Sequence, residues 1–177
     1  MFKLRQDVYH AQTRHALLNN SLTFKVGDVI IPVGANTGAV TNDTTALLAS
    51  PYVLGVITGF SKLNLEVISQ GQDPLNTPNQ LTTAADNTTV AQYQAVYVPI
   101  TTEMEFAATL SAAAGTTTGS DTAFQWFDFT DARTLDETSV TAIGATPLAV
   151  LSYGVDPEDT TSKTIICRFA KAVGYQP

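Results

Sequence analysis

The strongest strand signal in the chain is the run PYVLGVITG at residues 51–59, where aliphatic side chains follow one another between a proline and a glycine. A short apolar run bounded by turn formers fits a strand that is buried on both faces. A strand of this kind needs neighbouring strands at its edges and cover on its faces. The run therefore predicts a β-rich core, for which the rest of the chain must supply the partners.

Strand signals recur on both sides of this run. Residues 23–33, TFKVGDVIIPV, predict two strands joined by a turn or bulge at Gly27-Asp28. Further strands are predicted within residues 39–41, 63–68, 90–100, 124–129, 147–155 and 163–173. Many short strands separated by turn residues are typical of an antiparallel barrel or sandwich. We predict an all-β fold of this type, with a short N-terminal helix or an extended arm.

The composition agrees with a static sheet surface. The chain has 27 threonines, more than its 25 charged residues (9 basic and 16 acidic). Threonine is β-branched and packs well on a pleated surface. Only 14% of the residues are charged, below the usual share of about 25%. Such a weakly charged surface indicates that another subunit covers part of it.

Charge divides the chain into a basic start and an acidic remainder. Residues 1–25 hold four basic residues against one aspartate, a balance of +3, while the whole chain has a net charge of -7. We interpret residues 1–21 as a basic arm, either helical over residues 4–18 or extended, and residues 22–177 as a single β-rich domain. The arm would contact an acidic neighbour, such as another copy of the chain, or lie free in solvent. The negative remainder argues against nucleic acid or an anionic membrane as a partner.

Residues 69–89 form a polar stretch that is interrupted by Gly, Pro and Asn. Such a stretch has little capacity to build a core and predicts a long surface loop, which could reach a neighbouring subunit. Together with the basic arm, it supplies the candidate partner-binding residues. These are Lys3, Arg5, Arg14, Lys25, Asp73, Pro74 and Asn76.

Residue types that could support catalysis are few. His10 and His15 are five positions apart, roughly 140° around a helix, and would not converge on a metal ion. Glu103 and Glu105 share a strand face at a spacing of about 7 Å, within reach of glycosidase geometry, although a solvated sheet face is the simpler interpretation. The lone Cys167 lies in an apolar run and is predicted to be a buried strand residue.

Two further clusters are candidate ligand sites. The carboxylates of Asp128, Asp131, Asp136 and Glu137 lack the spacing of a calcium-binding loop. Three aromatic residues could stack on a sugar or fill the core, and the core is the commoner place for them. These are Tyr93, Tyr97 and Trp126. We therefore predict no catalytic residue, no cofactor and no metal. The charged start of the chain also lacks the apolar segment of a secretory signal.

Three segments together resemble the decoration, or cement, proteins of tailed-bacteriophage heads. They are Gly27–Val33, Ala39–Asp43 and Tyr52–Ile57, within the first third of the chain. The resemblance implies a β-barrel or β-tulip-like fold, commonly trimeric, that binds the major capsid protein and itself. It also implies a place on the capsid surface of the virion after assembly in the host cytoplasm. Residues 90–177 match no such pattern, so their role stays open.

Three other functions remain as alternatives. The chain could be a different virion part, such as a head fibre or tail component, which copy number per particle would distinguish. It could be a carbohydrate-binding module, for which Tyr93, Tyr97 and Trp126 should be exposed and coplanar. It could also be a hydrolase that uses Glu103 or Asp128, for which a pocket should hold a carboxyl with a raised pKa.

Overall fold

The computed structural model describes residues 1–6, 12–34, 38–50, 53–63, 77, 79–101, 103–114, 124–141 and 150–169. The described part of the chain is built mainly of short strands, so the predicted all-β class is confirmed. Its elements run in the following order. They are β1 (Phe2–Gln6), β2 (Arg14–Leu18), β3 (Thr23–Lys25), β4 (Val29–Pro32), β5 (Ala39–Thr41), α1 (Thr44–Ala49), β6 (Gly55–Lys62), β7 (Gln80–Thr82), α2 (Asn87–Val90), β8 (Tyr93–Pro99), β9 (Glu105–Leu110), β10 (Trp126–Asp131), β11 (Thr134–Thr141), β12 (Val150–Val155) and β13 (Thr164–Phe169).

The first part of the chain forms a closed barrel in the order β2-β5-β4-β6-β8. Its longest pairing joins β6 to β8 in antiparallel register, from Gly55 opposite Pro99 to Lys62 opposite Tyr93. Residues 55–59 of the run with the strongest strand signal belong to β6, a central strand that is paired on both edges by β4 and β8. The barrel interior is apolar and includes Leu18, Ile30, Val40, Ile57, Phe60 and Ala95. A small antiparallel pair, β3 and β7, adds Phe24 and Leu81 to the same core.

The second part forms a sheet in the order β1-β9-β11-β10-β12-β13. An additional pairing of β13 with β9, from Thr164 opposite Thr109 to Cys167 opposite Phe106, closes five of these strands into a ring. Strand β1 lies outside the ring and pairs with β9. Alternate residues of β13 point inward, so Ile165, Cys167 and Phe169 are buried. The prediction that Cys167 is a buried strand residue is confirmed.

The two barrels share one continuous apolar core. The larger core cluster combines the outward faces of β4, β6 and β8 with the interior of the second barrel. Backbone hydrogen bonds cross the junction from Val29 N to the Ala132 carbonyl oxygen at 2.8 Å and from Phe2 N to the Gly27 carbonyl oxygen at 3.1 Å. Gly27 has φ +88, and a Cβ there would collide with the Met1 side chain. The glycine therefore permits the close approach of β1 to the first barrel.

Residues 4–18 were predicted to be either helical or extended, and their described residues are extended: they contribute to β1 and β2, which belong to different sheets. The spacing of Leu4 and Leu18 fits a helix, yet Leu18 is buried in the core of the first barrel and Leu4 packs half-buried against the larger core cluster. Within the described residues of the predicted loop at 69–89, residues 80–82 form β7 and the short helix α2 begins at Asn87. The division into an arm (1–21) and a domain (22–177) stays a prediction, although the described parts of the arm pair with the body.

Candidate functional site

The basic residues of the predicted arm are distributed over three sheets. Lys3 and Arg5 lie on β1 beside the second barrel, Arg14 lies on β2 of the first barrel, and Lys25 lies on β3. Lys3, Arg14 and Lys25 are exposed. The structure thus does not collect the four cations into one patch. The other predicted contact residues, Asp73, Pro74 and Asn76, lie outside the described residues.

Arg5 is held by carboxylates of its own chain. Its guanidinium donates to Glu158 at 2.9 Å and lies 3.4 Å from Asp156, both in the connection that joins β12 to β13. The hydrogen bond to Glu158 raises the pKa of Arg5. The same connection is ordered by Asp159, whose carboxylate accepts from the Thr161 hydroxyl and amide, so that the pKa of Asp159 is held well below its usual range. The attraction between a basic start and an acidic body is therefore satisfied here within one chain.

The aromatic platform that a carbohydrate-binding module would need is not formed by the predicted residues. Tyr97 is 6% exposed and belongs to the core of the first barrel, where burial raises the pKa of its hydroxyl. Tyr93 packs against the same core, while Trp126 lies on β10 of the other barrel. The structure instead exposes a different aromatic pair.

This pair, Phe124 and Tyr153, forms a protrusion on the second barrel. Phe124 is 74% exposed and precedes β10, and Tyr153 is 38% exposed on β12. Their ring centroids are 6.3 Å apart, and the ring planes meet at 81°. Val155, 37% exposed, lies two residues further along β12. We call Phe124 and Tyr153 the aromatic knob.

Phe124 is held in an unfavourable backbone conformation. Its φ of +59 lies in the left-handed region, which bulky residues rarely adopt and which costs about 1–3 kcal/mol. Two backbone hydrogen bonds fix it against β12, from Phe124 N to the Ser152 carbonyl oxygen at 2.7 Å and from Ser152 N to the Gln125 carbonyl oxygen at 2.9 Å. This exposure was not predicted, since the run 124–129 indicated a strand buried on both faces.

Arg168 links the aromatic knob to two carboxylates. Its guanidinium lies 5.3 Å from the centre of the Tyr153 ring, a cation–π contact. It also donates to Glu105 at 3.0 Å and lies 3.6 Å from Glu103. The hydrogen bond to Glu105 raises the pKa of Arg168. The two glutamates considered as a glycosidase pair are thus ion-paired to one arginine at the protein surface.

The aspartates of the acidic cluster on β10 and β11 accept hydrogen bonds from nearby residues. Asp131 accepts from the Arg133 amide at 2.7 Å at the turn between the two strands, Asp136 accepts from the Thr138 hydroxyl at 2.7 Å within β11, and Asp128 accepts from Ser139 at 2.8 Å across the two strands. Within the described ranges, no group of three His, Cys, Asp or Glu residues is placed to hold a metal ion.

One buried carboxyl has a raised pKa, but it lies between the barrels. Asp28 is 1% exposed, and burial raises its pKa. Its Oδ2 accepts from Asn42 at 2.7 Å and from the Lys25 amide at 2.8 Å, and its Oδ1 lies 3.5 Å from the Arg133 guanidinium. A carboxyl so enclosed supports the junction and is not placed to meet a substrate.

An apolar groove of about 420 Å³ lies beside β1, between the two barrels. Leu4 and Phe106 contribute from the second barrel, Val56 and Val98 from the first, and Thr58 and Lys3 complete its lining. Lys3 and Thr58 are exposed, so the groove is open to solvent at that side. We call this the β1 groove. It was not predicted, because its two walls are distant in sequence.

Comparisons with protein-family models, with curated proteins and with solved structures find no match to this chain. Among the residues that the structure describes, no helix is long and apolar enough to cross a membrane.

Proposed function

We propose that the chain is a structural virion protein that binds the outer surface of a tailed-phage head and stabilises the head by bridging major capsid subunits. It acts by binding and not by catalysis. A bound protein of this kind adds contact area across the seams between capsid subunits, so that rupture must also break those contacts. Many symmetric copies make weak individual contacts strong together.

The observation that carries the proposal is the fusion of two closed barrels through one core. Val29, Val56 and Val98 belong to strands of the first barrel, yet they pack in the same cluster as Phe106 and Phe129 of the second. A shared core and the hydrogen bond from Val29 to Ala132 keep the barrels in a fixed relation. A rigid body with two ends is suited to bridging neighbouring subunits, because it transmits load without a hinge.

The surface supports the same function. Charged residues are few, threonines are many, and Lys3, Arg14 and Lys25 stay exposed on separate strands. Short hydroxyl side chains lose little conformational entropy when a partner covers them. The three cations are available for contacts with acidic capsid residues, whereas Arg5 is already engaged by Glu158.

Binding to heads tests the proposal. Heads of the phage that encodes this chain, prepared without it, are mixed with the purified protein and sedimented. We expect saturable co-sedimentation at many copies per head and a higher temperature of head rupture. Absence of saturable binding would contradict the proposal, and so would imaging that places the protein only at one vertex or along the tail. A Lys3→Glu/Arg14→Glu/Lys25→Glu variant should bind less tightly, with Lys163→Glu as a single-site control for added negative charge.

A further inference from the structure

The aromatic knob is one end of a row of side chains that crosses the second barrel. Strands β9, β13, β12 and β10 are neighbours there. Each member of the row contacts the next: Glu105 accepts from Arg168 at 3.0 Å, Arg168 lies 5.3 Å from the Tyr153 ring centre, and the Tyr153 and Phe124 ring centres are 6.3 Å apart. Since neighbouring strands are about 4.8 Å apart, the row extends over roughly 15 Å. We call it the barrel row.

The barrel row changes from apolar to charged along its length. Phe124 is 74% exposed at the apolar end. At the other end Glu103, whose side chain is 58% exposed, lies 3.6 Å from the Arg168 guanidinium that also binds Glu105. Aromatic rings pack against apolar faces, whereas carboxylates accept hydrogen bonds from hydroxyl groups and guanidinium groups donate to them. A ligand that matches the row therefore combines apolar faces with hydroxyl groups over a short length.

The apolar end is rigid although folding gains little from its exposure. Phe124 has φ +59, a strained conformation for a bulky residue. Backbone hydrogen bonds between residues 124–125 and Ser152 nevertheless fix it beside Tyr153. A ring that is already held in position loses little conformational freedom when a ligand stacks on it. Strain kept at an exposed aromatic residue therefore points to binding.

Area and charge select the kind of ligand. An aromatic side chain carries about 150–250 Å² of surface, so the knob, with Phe124 74% and Tyr153 38% exposed, presents about 200 Å². A stable protein interface needs about 800 Å² from each partner, which the knob does not approach. The two carboxylates outnumber the single Arg168, and the whole chain carries a net charge of -7. Both charges repel phosphates and acidic sugars.

We propose that the barrel row binds an uncharged oligosaccharide of gluco-configured units. The apolar face of one unit stacks on Phe124, and hydroxyl groups of a following unit bind Glu103 and Arg168. Gluco-configured pyranose rings fit because their hydroxyl groups lie at the ring edge and leave both faces apolar. The rings of Phe124 and Tyr153 meet at 81°, so they form a corner and not a coplanar platform. This activity is additional to head binding and is measured on the free protein.

Titration with defined oligosaccharides tests the proposal. Trp126 is the only tryptophan of the chain and lies on β10 two residues after Phe124, so its fluorescence reports on the row. Cellotetraose or chitotetraose should give a saturable change with a dissociation constant of about 1 mM or lower, confirmed by calorimetry. Tetragalacturonate, which is anionic, should bind more weakly. Binding of tetralysine with no response to either neutral sugar would identify a site for cations and overturn the proposal.

Loss of the ring tests the apolar end. Phe124→Gly removes the side chain and relieves the left-handed strain, so thermal unfolding should show a folded variant. Its affinity for the neutral oligosaccharide should fall by about tenfold or more. Phe124→Tyr keeps an aromatic face and should bind like the parent. Leu63→Ala, at an apolar residue that is 56% exposed next to β6, is the matched control. Unchanged affinity in Phe124→Gly would overturn the inference.

Loss of a carboxylate tests the polar end. Glu103→Ala removes an acceptor for sugar hydroxyl groups and should weaken binding by about threefold to tenfold. Asp86→Ala, at an exposed carboxylate beside α2, controls for the loss of one negative charge and should bind normally. Tighter sugar binding by Glu103→Ala, or no effect of this change, would contradict hydroxyl recognition and overturn the proposal. Head binding is assayed separately by co-sedimentation, so each activity can fail without the other.

Discussion

The amide of Val29 in the first barrel donates a hydrogen bond to the carbonyl oxygen of Ala132 in the second, at 2.8 Å. The residues that flank this bond, Asp28 and Arg133, form an ion pair at 3.5 Å. Apolar packing continues around it through Val29 and Ala132. The junction therefore combines a backbone bond, a buried charge and apolar side chains, and its stability should respond to pH.

Replacing Asp28 tests the buried charge. Burial raises the pKa of Asp28 in the folded protein, so the folded state holds this proton more tightly than the unfolded chain does. The stability that protonated Asp28 contributes is fully present below the pKa of about 3.9 that it has in the unfolded chain. It is lost as pH rises through the higher pKa that Asp28 has in the folded protein. The stability of the parent relative to Asp28→Asn should therefore fall as pH rises above about 4. Denaturant unfolding at several pH values measures this difference.

The control for this series is Asp86→Asn, at an exposed position. It corrects for the general effect of removing one negative charge from an acidic protein. If the parent instead gains stability relative to Asp28→Asn as pH rises, the attraction between Arg133 and the Asp28 carboxylate outweighs the desolvation cost of burying that carboxylate.

Glycine 55 allows the Tyr97 ring to enter the first barrel. A Cβ at this position would collide with the Tyr97 ring and with the Val98 carbonyl oxygen. Gly55→Ala should cost about 1–3 kcal/mol, which lowers Tm by roughly 3–10 °C in a protein of this size. At Gly59, on the same strand, the nearest atom to an added Cβ is 3.9 Å away. Gly59→Ala should leave Tm nearly unchanged, and an equal loss in both variants would contradict the steric explanation.

Asn87 anchors a connection that the sequence predicts to be a surface loop. Its buried amide donates to the Leu18 carbonyl oxygen at 2.6 Å, and its carbonyl oxygen accepts from the Tyr93 amide at 2.9 Å. Asn87→Ala leaves buried backbone groups without partners and should cost about 2–4 kcal/mol in denaturant unfolding. Asn79→Ala, at an exposed position of the same connection, should cost little. Comparable losses would mean that the connection does not depend on this amide.

Ala91 offers a stabilising substitution. It ends α2 with φ +51, in the left-handed region. Ala91→Gly relieves this strain and should raise the free energy of unfolding by about 0.5–1 kcal/mol. Ala85 lies in the preceding turn without a positive φ, so Ala85→Gly should lower the free energy of unfolding by a similar amount. Thermal unfolding of the two variants should therefore shift in opposite directions, and a loss of Tm in Ala91→Gly would contradict the assignment.

The strands of the first barrel were predictable because their signals are local. An apolar run predicted β4 with nearly correct bounds, whereas β6 begins and ends three to four residues after the predicted run at 51–59, and β8 is shorter than the predicted strand at 90–100. Closure into rings was not predictable, because the pairing of β13 with β9 joins residues about sixty positions apart. The sequence left residues 4–18 open between a helix and an extended arm. Their apolar residues fit a helical spacing by chance, and only pairing with β9 and β8 decides their conformation.

The candidate surfaces were less predictable than the fold. Phe124 and Phe127 are the same residue type three positions apart, yet one is 74% exposed and the other is fully buried. Phe124 precedes β10 in a left-handed conformation, and no local pattern marks that conformation in the sequence. Lys3 and Arg5 look equivalent in sequence, but only Arg5 lies near Glu158. Such distinctions depend on contacts between segments that are far apart along the chain.

The position of β1 has a consequence for folding on the ribosome. Its partner β9 is made only after the whole first barrel, whose last strand ends at Pro99. The first barrel can therefore assemble as soon as it emerges, while β1 waits without its partner strand. Phe2 reaches its contacts with Phe129 and Phe169 only after those residues have been made. Nascent chains should accordingly stay protease-sensitive at β1 until the second barrel has been synthesised.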